Sequence, residues 1–277
     1  MTLSARTYVL HIAVILSLIL LAVGVGGVVM ILRQEAIPQL LFSIERARSW
    51  FGLTVPMDAG RVFLSLVTAV AAPFLALLGL LLVEQFFRRT LSPQVFFFSL
   101  FLLGFAFEAG RAAQAYFFVE GVPYAILSAV TRFVAFGRII AMTSLVAASL
   151  YAAGISYQKN GVVLAIIVAI GGGVSYASPV NTLIIAPDLL FRLGEGYSVD
   201  MVHLILGVVA VINYAQASYS QERSEHLIHA VALLSVVVGW LLLIELPLVV
   251  GFAGGAALLL VGSGVFLKRR YSSYLWS

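Results

Sequence analysis

The sequence predicts an all-α fold: a polytopic bundle of about eight transmembrane helices, with both termini cytoplasmic and one helix lying flat in the outer interface. Three observations predict it. Apolar residues make up 62% of the 277 positions and charged residues only 10%, against about 25% in soluble domains. The mean hydropathy is +1.09. The apolar residues fall in runs long enough to cross a hydrocarbon core about 30 Å thick, which takes roughly 20 residues of helix. Sixteen Lys and Arg with 12 Asp and Glu are too few to cover a soluble surface of this size, and they form no basic arm. Nucleic-acid binding and disorder are excluded on that ground, and the absence of cysteine excludes a disulfide scaffold or a thiolate site.

The runs lie near 9–32, 62–86, 95–118, 124–153, 161–186, 200–219, 227–246 and 249–267. The first exceeds the roughly 7–15 apolar residues of a signal-peptide core, so it reads as a retained span. As a single helix, 227–267 would be about 60 Å long, twice the bilayer core. It must fold back, and Pro247 marks the place, because proline disfavours helical geometry in the residue before it. No internal repeat or low-complexity linker divides the chain, so residues 1–277 read as one domain.

Orientation follows from the cations between spans. With the N-terminus inside, the inner segments hold Arg6, Arg88, Arg89, Lys159, Arg223 and the run Lys268-Arg269-Arg270. The outer segments hold Arg33, Arg46, Arg48, Arg61 and Arg192, and the short outer connections carry Glu120, Asp188, Glu195, Asp200 and Glu245. A cell membrane, plasma or inner, is the expected location. In the single long connection, 33–61, Ile37, Leu40, Leu41, Ile44, Trp50 and Phe51 recur on a roughly helical period, the pattern of an amphipathic helix lying in the interface.

Charge inside a span costs about 2.5–3.5 kcal/mol per group, so the ionisable residues there are candidate site residues. Glu108 and Arg111 of span 3 and Arg132 and Arg138 of span 4 qualify. Reflection about the turn at Gly121 sets Glu108 within a helical turn of both span-4 arginines, while Glu108, Arg111 and Gln114 share one face of span 3. Arg132 and Arg138, six residues apart, do not share a face, so one pairs with Glu108 and the other points elsewhere. Three cations against one anion leave positive charge to be compensated by Glu245, Asp200, backbone carbonyls or a small anionic ligand. Two readings follow: an ion-pair clamp between spans 3 and 4, or a ligand-binding cavity open to the outer face. Asn181 in span 5 and His203 in span 6 lie in the same outer half, and Ser178-Pro179 should kink span 5 there.

A second candidate is a metal centre formed by His11, His226 and His229 at the inner face, three imidazoles that would leave an open position on zinc. Gly24, Gly26-Gly27, Gly171-Gly172-Gly173 and the Gly251/Gly255 pair sit in apolar spans, where glycine permits close helix approach within a chain or between copies. No lysine lies in a span, which excludes a retinal Schiff base.

The expected function is binding of a small anionic solute by a transporter or a membrane sensing module. The alternatives are an intramembrane metal-dependent hydrolase and a non-catalytic subunit of a membrane complex. No cofactor is called for, and the expected partners are the lipid bilayer, the anionic ligand, and another membrane protein or a second copy.

Overall fold

The computed structural model describes residues 3–44, 47–50, 53–87, 92–154, 160–194, 198–220 and 224–275. Eight helices among them are long and apolar enough to cross a membrane. They form a helical bundle, and the chain is a multi-pass membrane protein. Arg88, Arg89, Lys159, Glu195 and Arg223 lie outside the described residues.

The first crossing is α1 (Leu3–Arg33). It is followed by a short α2 (Ile37–Ser43) with proline at its start, then by two strands, β1 (Ala47–Trp50) and β2 (Leu53–Pro56), paired antiparallel. Among the described residues, the helix expected over this connection is therefore confined to the seven of α2. Gly52 and Pro56 are poor helix formers, and the aromatic and β-branched residues Trp50, Thr54 and Val55 favour extended pairing. The return crossing is α3 (Ala59–Phe87), with Pro73 inside it.

The third crossing is interrupted. Its first part, α4 (Pro93–Ala106), starts with proline and is capped by Ser92, whose Oγ accepts from the Val95 N–H at 3.3 Å. A 3₁₀ turn at Phe107–Ala109 links it to α5 (Gly110–Val119). This crossing is almost wholly enclosed by the others, which explains how Glu108 on the 3₁₀ turn can be 0% exposed. Gly121, at φ 68°, turns the chain into α6 (Tyr124–Ala152). A Cβ on Gly104 would stand 2.5 Å from the Gly137 carbonyl, and one on Gly137 2.3 Å from the Phe107 Cβ, so only glycine lets α4 and α6 touch here. That close approach is what brings Glu108 within reach of α6.

The fifth crossing is shorter than its apolar run. Helix α7 (Asn160–Ala177) stops before Ser178-Pro179, and the chain continues not as a kinked helix but as an antiparallel hairpin, β3 (Val180–Ile185) and β4 (Phe191–Leu193). The tip of this hairpin enters the bundle: Ala186, Asp188, Leu189, Leu190 and Phe191 are all buried. The remaining crossings are α8 (Ser198–Ser220), α9 (Ser224–Glu245) and α10 (Val249–Leu275), the last two separated at Pro247 as the sequence predicts. Eight crossings return the chain to the end at which it began. We call that the terminal end and the other the hairpin end.

Two apolar clusters fill the interior. The larger is built around Phe97, Phe98, Phe101 and Phe105 of α4 and includes Tyr214, Trp240 and Phe266. The smaller, at the hairpin end, joins Ile31, Leu40, Val62, Ala115 and Leu127 to Ile185, Leu189 and Phe191, so the hairpin is packed as part of the core. The glycine pairs are used within the chain: Gly27 packs on the Ala112 backbone, and Gly255 packs on the Gly239 backbone between α10 and α9.

Candidate functional site

The charged residues of spans 3 and 4 meet in the hairpin half of the bundle. Arg138 donates from Nε to Glu108 Oε1 at 2.7 Å and from Nη2 to Oε2 at 2.9 Å, the bidentate geometry that fits a guanidinium to a carboxylate. Arg111 Nη1 lies 3.7 Å from Glu108 Oε2. Arg132 points elsewhere: it is half-buried and lies over the Tyr176 ring, 5.4 Å from its centroid, at the end of α7. One arginine thus pairs with Glu108 and the other leaves, as the six-residue spacing on α6 requires.

The partner of the remaining positive charge is Asp188, a residue that the sequence places in an outer connection. Its carboxylate Oδ2 forms an ion pair with Arg138 Nη1 at 2.9 Å, and its backbone carbonyl accepts from Arg111 Nε at 2.7 Å. The surplus of cations expected from spans 3 and 4 is thereby removed: Arg111 and Arg138 face Glu108 and Asp188, two charges of each sign. Arg111 is eight residues from the end of α5, so the hairpin tip reaches about 12 Å below that end at 1.5 Å per residue.

Backbone that is not helical must find its hydrogen bonds from other protein groups once it leaves water. The hairpin tip does so from three helices. Ser65 of α3 donates to the Pro187 carbonyl at 2.9 Å, Arg111 of α5 donates to that of Asp188, and the Phe191 N–H donates to Thr131 Oγ1 of α6 at 3.3 Å. Within the tip, Leu189 N–H donates to the Ala186 carbonyl at 2.9 Å and Ala186 N–H to the Leu190 carbonyl at 2.8 Å. This is a turn with Leu189 at φ 69°. Glycine usually occupies such a left-handed position; leucine there is strained.

Between the hairpin and helices α6 and α8 lies a cavity of about 50 Å³ whose walls include Thr131, Arg138, Asp188, Arg192, Asp200 and His203. His203 is 3% exposed, its ring lies edge-on to that of Trp240 at 5.5 Å, and its Nε2 has no hydrogen-bond partner in the protein. Gln114 is fully buried on the same face of the third crossing as Arg111, and neither of its amide atoms is hydrogen-bonded. Asn181 does not join this set. It is exposed on β3, where its Oδ1 accepts from the Leu183 N–H at 3.0 Å.

The histidines expected to form a metal centre make separate contacts. His11 Nε2 lies 2.9 Å from Glu84 Oε1 at a half-exposed position. His229 is buried, stacked on Tyr214 and edge-on to Phe266. The His226 side chain lies outside the described residues. Among the described residues no group of three His, Cys, Asp or Glu is arranged to hold a metal.

No protein-family model, curated protein or solved structure matches the chain.

Proposed function

We propose that this membrane protein binds a small anionic solute at its hairpin end, with Arg138, Arg111 and His203 as the binding groups, and that it carries the solute across the membrane. The observation behind this reading is the hairpin tip: non-helical backbone, deep among the helices, contributes a carboxylate to Arg138 beside a cavity that Arg192 and His203 also line. A helix clamp needs only the Glu108–Arg138 pair; it needs neither an ionisable cavity nor an inserted hairpin.

Transport is favoured over sensing by two breaks in the helices, the 3₁₀ turn carrying Glu108 and the end of α7 before Pro179, which converge on the same cluster. Transporters typically build solute sites from interrupted helices near the middle of the membrane. By the distribution of Lys and Arg, the hairpin end faces outward in a cell membrane and both termini face the cytoplasm. Gln114 supplies a buried polar group on the face of Arg111, while Arg132 and Asn181 take no part in the binding.

The test is a panel of phosphate, sulfate, monocarboxylates and dicarboxylates offered to the purified protein in nanodiscs, with the unfolding midpoint as readout. Stabilisation by one class, lost in Arg138→Lys, is expected, because lysine keeps the charge but not the forked geometry. Uptake of that anion into proteoliposomes supports transport; binding without uptake assigns a sensing role instead. If no anion in the panel raises the midpoint, the reading fails and the cluster is a clamp.

A further inference from the structure

We propose that the hairpin tip, Ala186–Phe191, is a removable lid in which the Asp188 carboxylate occupies the place of the solute's own carboxylate. The proposal rests on the anion-site reading above and narrows its ligand class to small carboxylates.

Four observations carry it. The first is chemical. Arg138 turns Nε and Nη2 to Glu108, a residue fixed on the central crossing, and its third nitrogen, Nη1, to Asp188, which sits in a turn. A carboxylate arriving from outside would meet the same Nη1 and leave the Glu108 pair intact. The second is space. A cavity of about 50 Å³ holds only a few water molecules. A carboxylate solute at Arg138 therefore needs the room that Asp188 takes up.

The third is attachment. Besides the apolar packing of Leu189 and Phe191, the tip is held by the side chains of Ser65, Arg111, Thr131 and Arg138, at four points that can be exchanged for water or ligand. The segment is bounded by Pro179, where α7 ends, and by Gly194 at φ 75°, a backbone state that glycine adopts freely. The fourth is strain. Leu189 is held at φ 69° while 1% exposed, an unfavourable conformation for a branched side chain that withdrawal of the tip would relieve. A segment latched by replaceable hydrogen bonds and strained in its seated form is poised to open.

The lid makes opening and solute binding competitive with one internal carboxylate. When the solute's carboxylate displaces Asp188 from Arg138, the number of charges on the guanidinium stays the same, so the exchange avoids leaving a buried cation alone.

The experiment is chemical rescue of Asp188→Ala with acetate, read as the unfolding midpoint in nanodiscs. The variant is expected to unfold at lower temperature than the wild type. Acetate should raise its midpoint with the logarithm of concentration, as for any ligand bound by the folded state alone, while chloride at equal ionic strength should not. Asp188→Asn, which refills the space but gives up the ion pair, should respond to acetate less than Asp188→Ala does. A second readout covers failure of Asp188→Ala to fold. Ala186 is 8% exposed, so a cysteine placed there in this cysteine-free chain should react slowly with a charged thiol reagent. In the Asp188→Asn background the rate should rise roughly tenfold or more, the worth of one charged hydrogen bond in an equilibrium constant.

Absence of acetate rescue in a folded Asp188→Ala protein that still responds to another anion class overturns the carboxylate stand-in alone. Absence of any anion response in both proteins overturns the anion site and the stand-in together. Equal labelling rates with and without Asp188 overturn the lid.

Discussion

Glu108→Gln is the sharpest probe of the buried cluster. Glutamine keeps the shape of the side chain and one acceptor oxygen but removes the charge. Glu108 is 0% exposed and holds Arg138 through two hydrogen bonds of 2.7 and 2.9 Å, with Arg111 a further 3.7 Å away. After the change, two buried guanidinium groups share the single carboxylate of Asp188. Breaking a buried ion pair by removing one partner costs about 3–5 kcal/mol, chiefly because the other charge is left uncompensated. For a chain of this size that corresponds to a fall in the unfolding midpoint of very roughly 6–20 °C. Arg111→Met removes one cation and should be costly for the mirror-image reason. The double variant Glu108→Gln/Arg111→Met is electrically balanced again and leaves Arg138 paired with Asp188. It should be less destabilised than the two single costs added together, by about 1–3 kcal/mol. Titration of dodecyl sulfate into mixed micelles, followed by circular dichroism, measures all three. A Glu108→Gln cost below about 1 kcal/mol would mean the carboxylate carries no buried charge. Additivity of the pair within about 0.5 kcal/mol would refute the coupling of the four charges.

Other consequences follow from packing and topology. Gly137→Ala places a methyl group against the Phe107 Cβ and the Gly104 carbonyl, and should cost about 1–3 kcal/mol, whereas Gly172→Ala, with nothing within 4 Å of the new methyl, should stay within about 0.5 kcal/mol in the same unfolding assay. Arg132→Gln should leave the anion response unchanged and cost at most about 1 kcal/mol, since its contact is a half-exposed cation–π pair outside the cavity. Because the chain has no cysteine, Glu120→Cys and Ser272→Cys report orientation directly: an impermeant thiol reagent should label the first in intact cells and the second only after permeabilisation. The reverse pattern would invert the topology.

The crossings, and the pairing of Glu108 with one of the two span-4 arginines though not which one, were legible in the sequence for the same reason. Both follow from length and from reflection about a short turn, and helix geometry makes such arithmetic dependable. Asp188 was not legible. Residues 183–186 are apolar and, with only Asn181 and Thr182 intervening after Val180, extend the run of α7, and a short apolar run does not distinguish strand from helix. Counting it as helix moved Asp188 from the interior to an outer loop. Three signals pointed the other way: Pro179 and Pro187 bracket the run, Val180, Ile184 and Ile185 are β-branched, and Pro187-Asp188 is a common turn pair. The connection 33–61 went the same way, its Trp50, Thr54 and Val55 pairing as strands where periodicity suggested a longer helix.

That the misread segment is also the candidate site has a physical cause. Departures from local sequence rules tend to collect at functional or strained positions. Strands inside a helical membrane bundle are tolerated only where protein or cavity water satisfies their backbone. The groups that satisfy this hairpin, Arg111 and Arg138 among them, are the ones whose unmatched charge stood out in spans 3 and 4. The apparent surplus of cations was therefore half of a structural feature, and its complement was the carboxylate and carbonyl of one turn residue. If that residue is exchangeable for a solute, the same surplus is also the binding energy of the site.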